Sequence, residues 1–207
     1  MRNALRENSG LMLYYQPIYD LKTGQVSKLE ALVRWQHPVH GLLAPDRFIA
    51  IAEANGLIAE LDNWVLRKAC EDLSELSRQG CEELKIAVNC SPLNLAREEL
   101  ADEIERALRT AGVAPQRLEL EVTENALMGN IAHSLVLLRQ IRALGVSLSI
   151  DDFGTGYSSL AYLKRLPLNT LKIDRSFILD IPTATADMEI VQAIIVMAHT
   201  LHLQVVT

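Results

Sequence analysis

The chain has 207 residues, enough for one medium domain or at most two small ones. Twenty Lys and Arg stand against 26 Asp and Glu, and the formal net charge of −6 argues against a nucleic-acid polymer bound through bulk positive charge. Hydrophobic residues make up 49% and charged residues 22%, which excludes a disordered chain.

Residues 3–8 read as the end of a linker helix, with the domain itself expected over 11–207. Apolar and aromatic residues fill 11–19, a turn follows at 20–24, and a second apolar run over 25–35 completes the pattern of a hairpin. Helices are predicted over 47–55 and 59–79. The second carries Leu61, Trp64, Val65, Leu66, Ala69, Leu73 and Leu76 near a 3.6-residue period and stops at Gly80. A short strand over 84–89 leads to a helix over 95–111, a strand over 117–121, a helix over 131–144 and a strand over 146–150. A short helix over 158–166, a strand over 170–173, a helix over 187–201 and a run at 203–206 that reads as part of a strand complete the chain.

This alternation predicts an α/β fold with a parallel sheet covered on both faces, either an open doubly wound sheet or a closed barrel. No G-x-G-x-x-G or Walker A sequence opens a helix, so nucleotide binding of the Rossmann or P-loop kind has no support. The three cysteines, Cys70, Cys81 and Cys90, form no Cys-x-x-Cys pair and indicate a reduced, cytoplasmic setting. No apolar run approaches about 18 residues and no signal peptide opens the chain, so this segment is not expected to contact a membrane.

The polar residues favour the barrel. Glu30, Asn89, Glu121, the pair Asp151-Asp152, and Lys172 each stand where an apolar strand gives out. Taken singly, each has an ordinary explanation: a helix cap, a turn residue, an ion pair of Glu30 with Arg34, a lysine with a buried stem. Together, four acids and an amide at one barrel mouth would repel by several kcal/mol at intermediate dielectric without a counter-charge. A divalent metal resolves this, and oxygen donors without histidine or thiolate favour Mg²⁺ or Mn²⁺ over zinc. The adjacent Asp151-Asp152 suit a two-metal phosphoryl-transfer site. The glycines of the stretch 152–159 fit either an ordinary connection or a mobile loop closing over the metals.

Glu30-Ala31-Leu32 with Val33-Arg34-Trp35 resembles the EAL-domain family of cyclic di-GMP phosphodiesterases. The resemblance continues in order through Tyr15-Gln16-Pro17-Ile18, Val88-Asn89-Cys90-Ser91, Glu121-Val122-Thr123-Glu124, Asp151-Asp152-Phe153-Gly154-Thr155-Gly156-Tyr157-Ser158-Ser159 and Leu171-Lys172-Ile173-Asp174. It implies a modified TIM-type (β/α)8 barrel whose first strand runs antiparallel to the rest. It further implies Glu30, Asn89, Glu121 and Asp151 as metal ligands, Asp152 on a second ion, and Lys172 at the attacking water. Glu124 would hold the 152–159 loop, while Gln16 and Arg34 would face the substrate. The reaction implied is hydrolysis of cyclic di-GMP to linear pGpG, with a cyclic di-GMP-binding module without turnover as the alternative. A homodimer and an upstream GGDEF or sensory domain are further implications. Barrels of this type need about 250 residues, so roughly 40, including the last strand, are expected beyond 207.

Overall fold

The computed structural model describes residues 1–155, 160–179, 181 and 185–207. After a short helix α1 (Arg2–Arg6), strand β1 (Leu11–Tyr19) pairs antiparallel with β2 (Val26–His37). The expected hairpin is therefore present. Its turn is held by the Asp20 carboxylate, which accepts from the backbone N–H groups of Lys22 and Thr23 at 2.8 and 3.0 Å. A short strand β3 (Gly41–Leu43), absent from the sequence reading, folds back on the end of β2. At three residues it is too brief to show an alternation.

Helices α2 (Ile49–Ala54) and α3 (Ile58–Arg78) lead to β4 (Lys85–Cys90), which pairs parallel with β2. The helix expected over 95–111 begins only at Leu100, as α5 (Leu100–Ala111), and a separate short helix α4 (Pro92–Leu95) precedes it. Ser91 caps α4, its Oγ accepting from Asn94 N at 3.2 Å, and Pro92 begins it. Strand β5 (Leu118–Thr123) runs two residues further than expected, because the β-branched Val122 and Thr123 continue it. Glu121 consequently lies inside the strand rather than at its end. Thr123 then caps α6 (Glu124–Gly129), which the sequence reading missed, and Asn130 caps α7 (Ile131–Ala143).

Strand β6 (Ser147–Phe153), helix α8 (Leu160–Leu163), strand β7 (Thr170–Ile173), helix α9 (Thr185–Thr200) and strand β8 (Gln204–Val206) complete the order. Part of the helix expected over 158–166 and residues 156–159 of the 152–159 loop lie outside the described residues.

The strand path is β1-β2-β4-β5-β6-β7-β8, parallel from β2 onward, with β1 antiparallel. This is the arc of a modified (β/α)8 barrel. Alternate strand residues point outward into the helical layer: Ala31 and Val33 on β2, Ile86 and Val88 on β4, Leu118, Leu120 and Val122 on β5, Leu148 and Ile150 on β6 are all buried there. Leu61, Leu73, Ile104 and Leu138 from the helices seal that layer. At about 25 cal/mol per Å² of apolar area, it is the main stabilising term. The other parity faces the barrel interior, and there most residues of these strands are polar, with Leu32 and Ala87 as apolar exceptions. Among the described residues no helix is long and apolar enough to cross a membrane.

Candidate active site

Five neighbouring strands, β2, β4, β5, β6 and β7, deliver the central residues of the site, and β1 adds Gln16 at its edge. The antiparallel register puts Gln16 opposite Glu30, and the parallel registers put Asn89 beside Glu121 and Glu121 beside Ser149. With side chains alternating along each strand, Glu30, Asn89, Glu121, Asp151 and Lys172 all face inward. Lys172 Nζ donates to Glu121 Oε2 at 2.6 Å and to Glu30 Oε2 and Asp151 Oδ2 at 3.1 Å each. Asn89 Nδ2 donates to Glu30 Oε1 at 3.2 Å. The carboxylates of Glu30, Glu121 and Asp151 each offer an oxygen within 4.8 Å of the other two. The five polar residues expected from separate strand ends therefore meet in one place.

One ammonium among three carboxylates leaves an excess of negative charge. Burial pushes the Glu121 carboxyl up to about 7; Lys172 opposes this, while Glu30 and Asp151 reinforce it. Burial on its own lowers the Lys172 ammonium, but Glu121, Asp151 and Glu30 together outweigh it and hold the group above the ordinary lysine range. Glu121 Oε1 is buried without a protein partner. Oxygen-only donors, a spare buried carboxylate oxygen and excess negative charge fit a hard divalent cation. The ordinary alternative for Glu30, pairing with Arg34, is not what the structure has. The Arg34 guanidinium donates to Val33 O and lies 5.4 Å from the centre of the Tyr14 ring.

Asp152 stands beside this cluster rather than in it. Its φ of 54° is left-handed, and the β6–β7 register shifts between Ile150 and Phe153. Such a bulge re-aims a side chain that simple alternation would turn outward. Burial first, then Asp151 and Asp174, raise the Asp152 carboxyl above its usual range, and Lys172 lowers it. Glu124, buried at the start of α6, accepts from Gly154 N at 3.1 Å through Oε2 and so grips the first residues of the loop. Gly154 has φ +103°, and a Cβ there would sit 2.7 Å from Phe177 Cε2. Gly156 through Ser159, the rest of that motif, lie outside the described residues.

Several inward residues escaped the sequence reading. Tyr14 lies under Arg34, two residues before Gln16. Lys28 and Glu119 form a buried ion pair two residues before Glu30 and Glu121. Ser149 and Thr170 stand two residues before Asp151 and Lys172, both fully buried. The signal that finds them is the period of two counted back from each site residue.

Residues 1–207 match the EAL domain family. The cyclic di-GMP phosphodiesterase NbdA of Pseudomonas aeruginosa is 63% identical over 206 residues, covering 100% of this chain and 26% of that protein. The bifunctional diguanylate cyclase/cyclic di-GMP phosphodiesterase MucR of the same organism is 46% identical, covering 100% of this chain and 30% of that protein. The chain thus spans under a third of the length of these curated relatives. Among solved structures, the PaMucR phosphodiesterase in its c-di-GMP complex superposes with a TM-score of 0.94 at 45% identity, covering 99% of this chain and 82% of that one. The Xanthomonas citri FimX EAL domain in complex with c-di-GMP gives 0.89 at 27% identity, covering 99% and 79%.

Proposed function

The chain belongs to the EAL domain family, and on that premise we propose that it hydrolyses one phosphodiester bond of cyclic di-GMP to give linear pGpG, using Mg²⁺ or Mn²⁺, two ions per site. The observation that carries this reading is the convergence of Glu30, Glu121 and Asp151 on Lys172 Nζ. Glu30, Asn89, Glu121 and Asp151 would hold the first ion and Asp152 would serve the second. Bound there, the ions supply charge neutralisation at the phosphate and acidification of water. An acidic mouth takes a dianionic ligand only when cations invert its potential locally.

The chain's own residues do the rest. Lys172 keeps its proton, orients the attacking water through Nζ and stabilises negative charge on the phosphate. Glu124 fixes the 152–159 loop through Gly154 N, and Arg34 and Gln16 hold the substrate at the mouth. The names of NbdA and MucR, with the c-di-GMP complexes among the similar structures, support the substrate. The combined name of MucR supports a diguanylate cyclase (GGDEF-type) domain beside this one in the parent protein. The same reading places the domain in the cytoplasm as a homodimer, on the family resemblance alone.

The test is incubation with cyclic di-GMP and Mg²⁺ or Mn²⁺, with products separated by anion exchange. Formation of pGpG that stops on adding EDTA, and fails in Glu30→Gln, supports the reading. Tight binding without product supports the turnover-free alternative. Absence of binding sinks both.

A further inference from the structure

The barrel interior beneath the site is polar where most (β/α)8 barrels stack apolar side chains in layers. Glu121, Ser149 and Thr170 are neighbours in register on three adjacent strands, β5, β6 and β7, with the same parity. Adjacent strands lie about 4.8 Å apart, so these side chains border one another on the inner face. Three of their polar atoms, Glu121 Oε1, Ser149 Oγ and Thr170 Oγ1, are fully buried and have no protein hydrogen-bond partner. Buried polar atoms are seldom left unpaired, because each gives up its hydrogen bonds to water with nothing in return. The chemistry of the three is complementary: a carboxylate oxygen only accepts, while each hydroxyl brings one donor and acceptor capacity. Buried waters characteristically bridge such sets with about three hydrogen bonds.

We propose that Ser149 and Thr170 are positioning residues that hold the rear oxygen of Glu121 through a buried water. Glu121 has one oxygen, Oε2, committed to the side facing Lys172. Fixing Oε1 sets the plane of the carboxylate and therefore how Oε2 is presented to a cation. Neither hydroxyl touches substrate or metal. The Lys28–Glu119 ion pair, on the strand positions just below Glu30 and Glu121, closes this polar layer on its far side. The inference rests on the metal-site reading above, and it extends that reading to residues that no motif singled out.

The test is Mn²⁺ binding, followed by calorimetry and by the loss of the free-ion electron paramagnetic resonance signal, without substrate. Thr170→Val keeps the shape and removes the hydroxyl, and Ser149→Ala removes the other. Each should weaken Mn²⁺ binding by about 10–100-fold, the usual effect of losing a group that orients a ligand. Thr170→Ser, which restores the hydroxyl, should bind as the parent chain does. Melting in EDTA reports the fold separately, so a purely structural role would shift melting and leave affinity untouched. Ser149→Ala and Thr170→Val chains that bind Mn²⁺ as tightly as the parent overturn the proposal. So does a Thr170→Ser chain that loses as much affinity as Thr170→Val. A parent chain that binds no Mn²⁺ overturns the metal site and this inference together, whereas Mn²⁺ binding without pGpG formation removes only the proposed activity.

Discussion

Replacing Lys172 by methionine keeps the length of the side chain and deletes its charge. The ammonium is 12% exposed and its partners Glu30, Glu121 and Asp151 are 16%, 0% and 19% exposed, so solvent screens the group weakly. At an effective dielectric constant of about 20, each contact contributes about 5–6 kcal/mol. Each carboxylate pair, with oxygens no more than 4.8 Å apart, repels by at least about 3 kcal/mol on the same basis. Desolvation of the ions offsets much of the attraction, which brings the cost of breaking such a pair to about 3–5 kcal/mol. The partial exposure here puts Lys172→Met at the lower end. In EDTA at pH 8 the variant should melt about 6–12 °C below the parent, taking about 2–4 °C per kcal/mol for a chain of this size. At pH 5 the gap should narrow, since the Glu121 carboxyl, pushed up to about 7, is then protonated and no longer repels its neighbours. Mn²⁺ at about 100 times its dissociation constant should add about 2.7 kcal/mol to either chain. The assay is thermal unfolding by circular dichroism across these four conditions. Equal melting of parent and variant in EDTA at pH 8, or a gap unchanged at pH 5, refutes the charge argument.

In the parent chain without metal, the folded state keeps the Glu121 proton to about pH 7, while an unfolded glutamate releases it near about 4.3. Stability should therefore fall as pH rises through that window and level off above it; Asp62, pushed by burial to about 6, adds a slope of the same sign. Urea midpoints should show Mn²⁺ flattening the Glu121 share and Asp62→Asn removing the other; a rise in stability over this window counts against both. Gly154→Ala forces a Cβ into a left-handed φ and onto Phe177, at about 1–3 kcal/mol. Initial rates of pGpG formation should drop by up to roughly 100-fold, as for a misplacement of about 1 Å, and a parental rate would disprove the loop's dependence on this glycine. Lys28→Met should cost about 3–5 kcal/mol in urea denaturation, and Lys28→Met combined with Glu119→Leu should return close to the parent. A single variant as stable as the parent would show that the pair does not restrain the interior.

What the sequence made legible was local. The β-α rhythm, the hairpin over 11–35 and the amphipathic stripe of α3 depend on patterns within one element, and the structure has all three. The start of α4 was also local, written in Ser91-Pro92, but the apolar periodicity that follows masked it. The site was readable as a set of residue types, since a carboxylate at an apolar strand is conspicuous. Its contacts were not: Lys172 meets Glu30 across 142 positions of sequence and Lys28 meets Glu119 across 91, distances over which no periodicity carries information. Parity bridges that gap once the sheet is known. Every residue of the acidic cluster fixes, by counting back two, a neighbour on the same inner face: Lys28 below Glu30, Glu119 below Glu121, Ser149 below Asp151, Thr170 below Lys172. Asp152 is where counting fails, because the bulge at the end of β6 breaks the alternation. That local strain, carried by a non-glycine residue with φ 54°, falls between Asp151 in the cluster and the loop gripped by Glu124. The bulge is therefore the covalent join between the cluster and the loop, and it lies in backbone geometry that no pattern of residue types records.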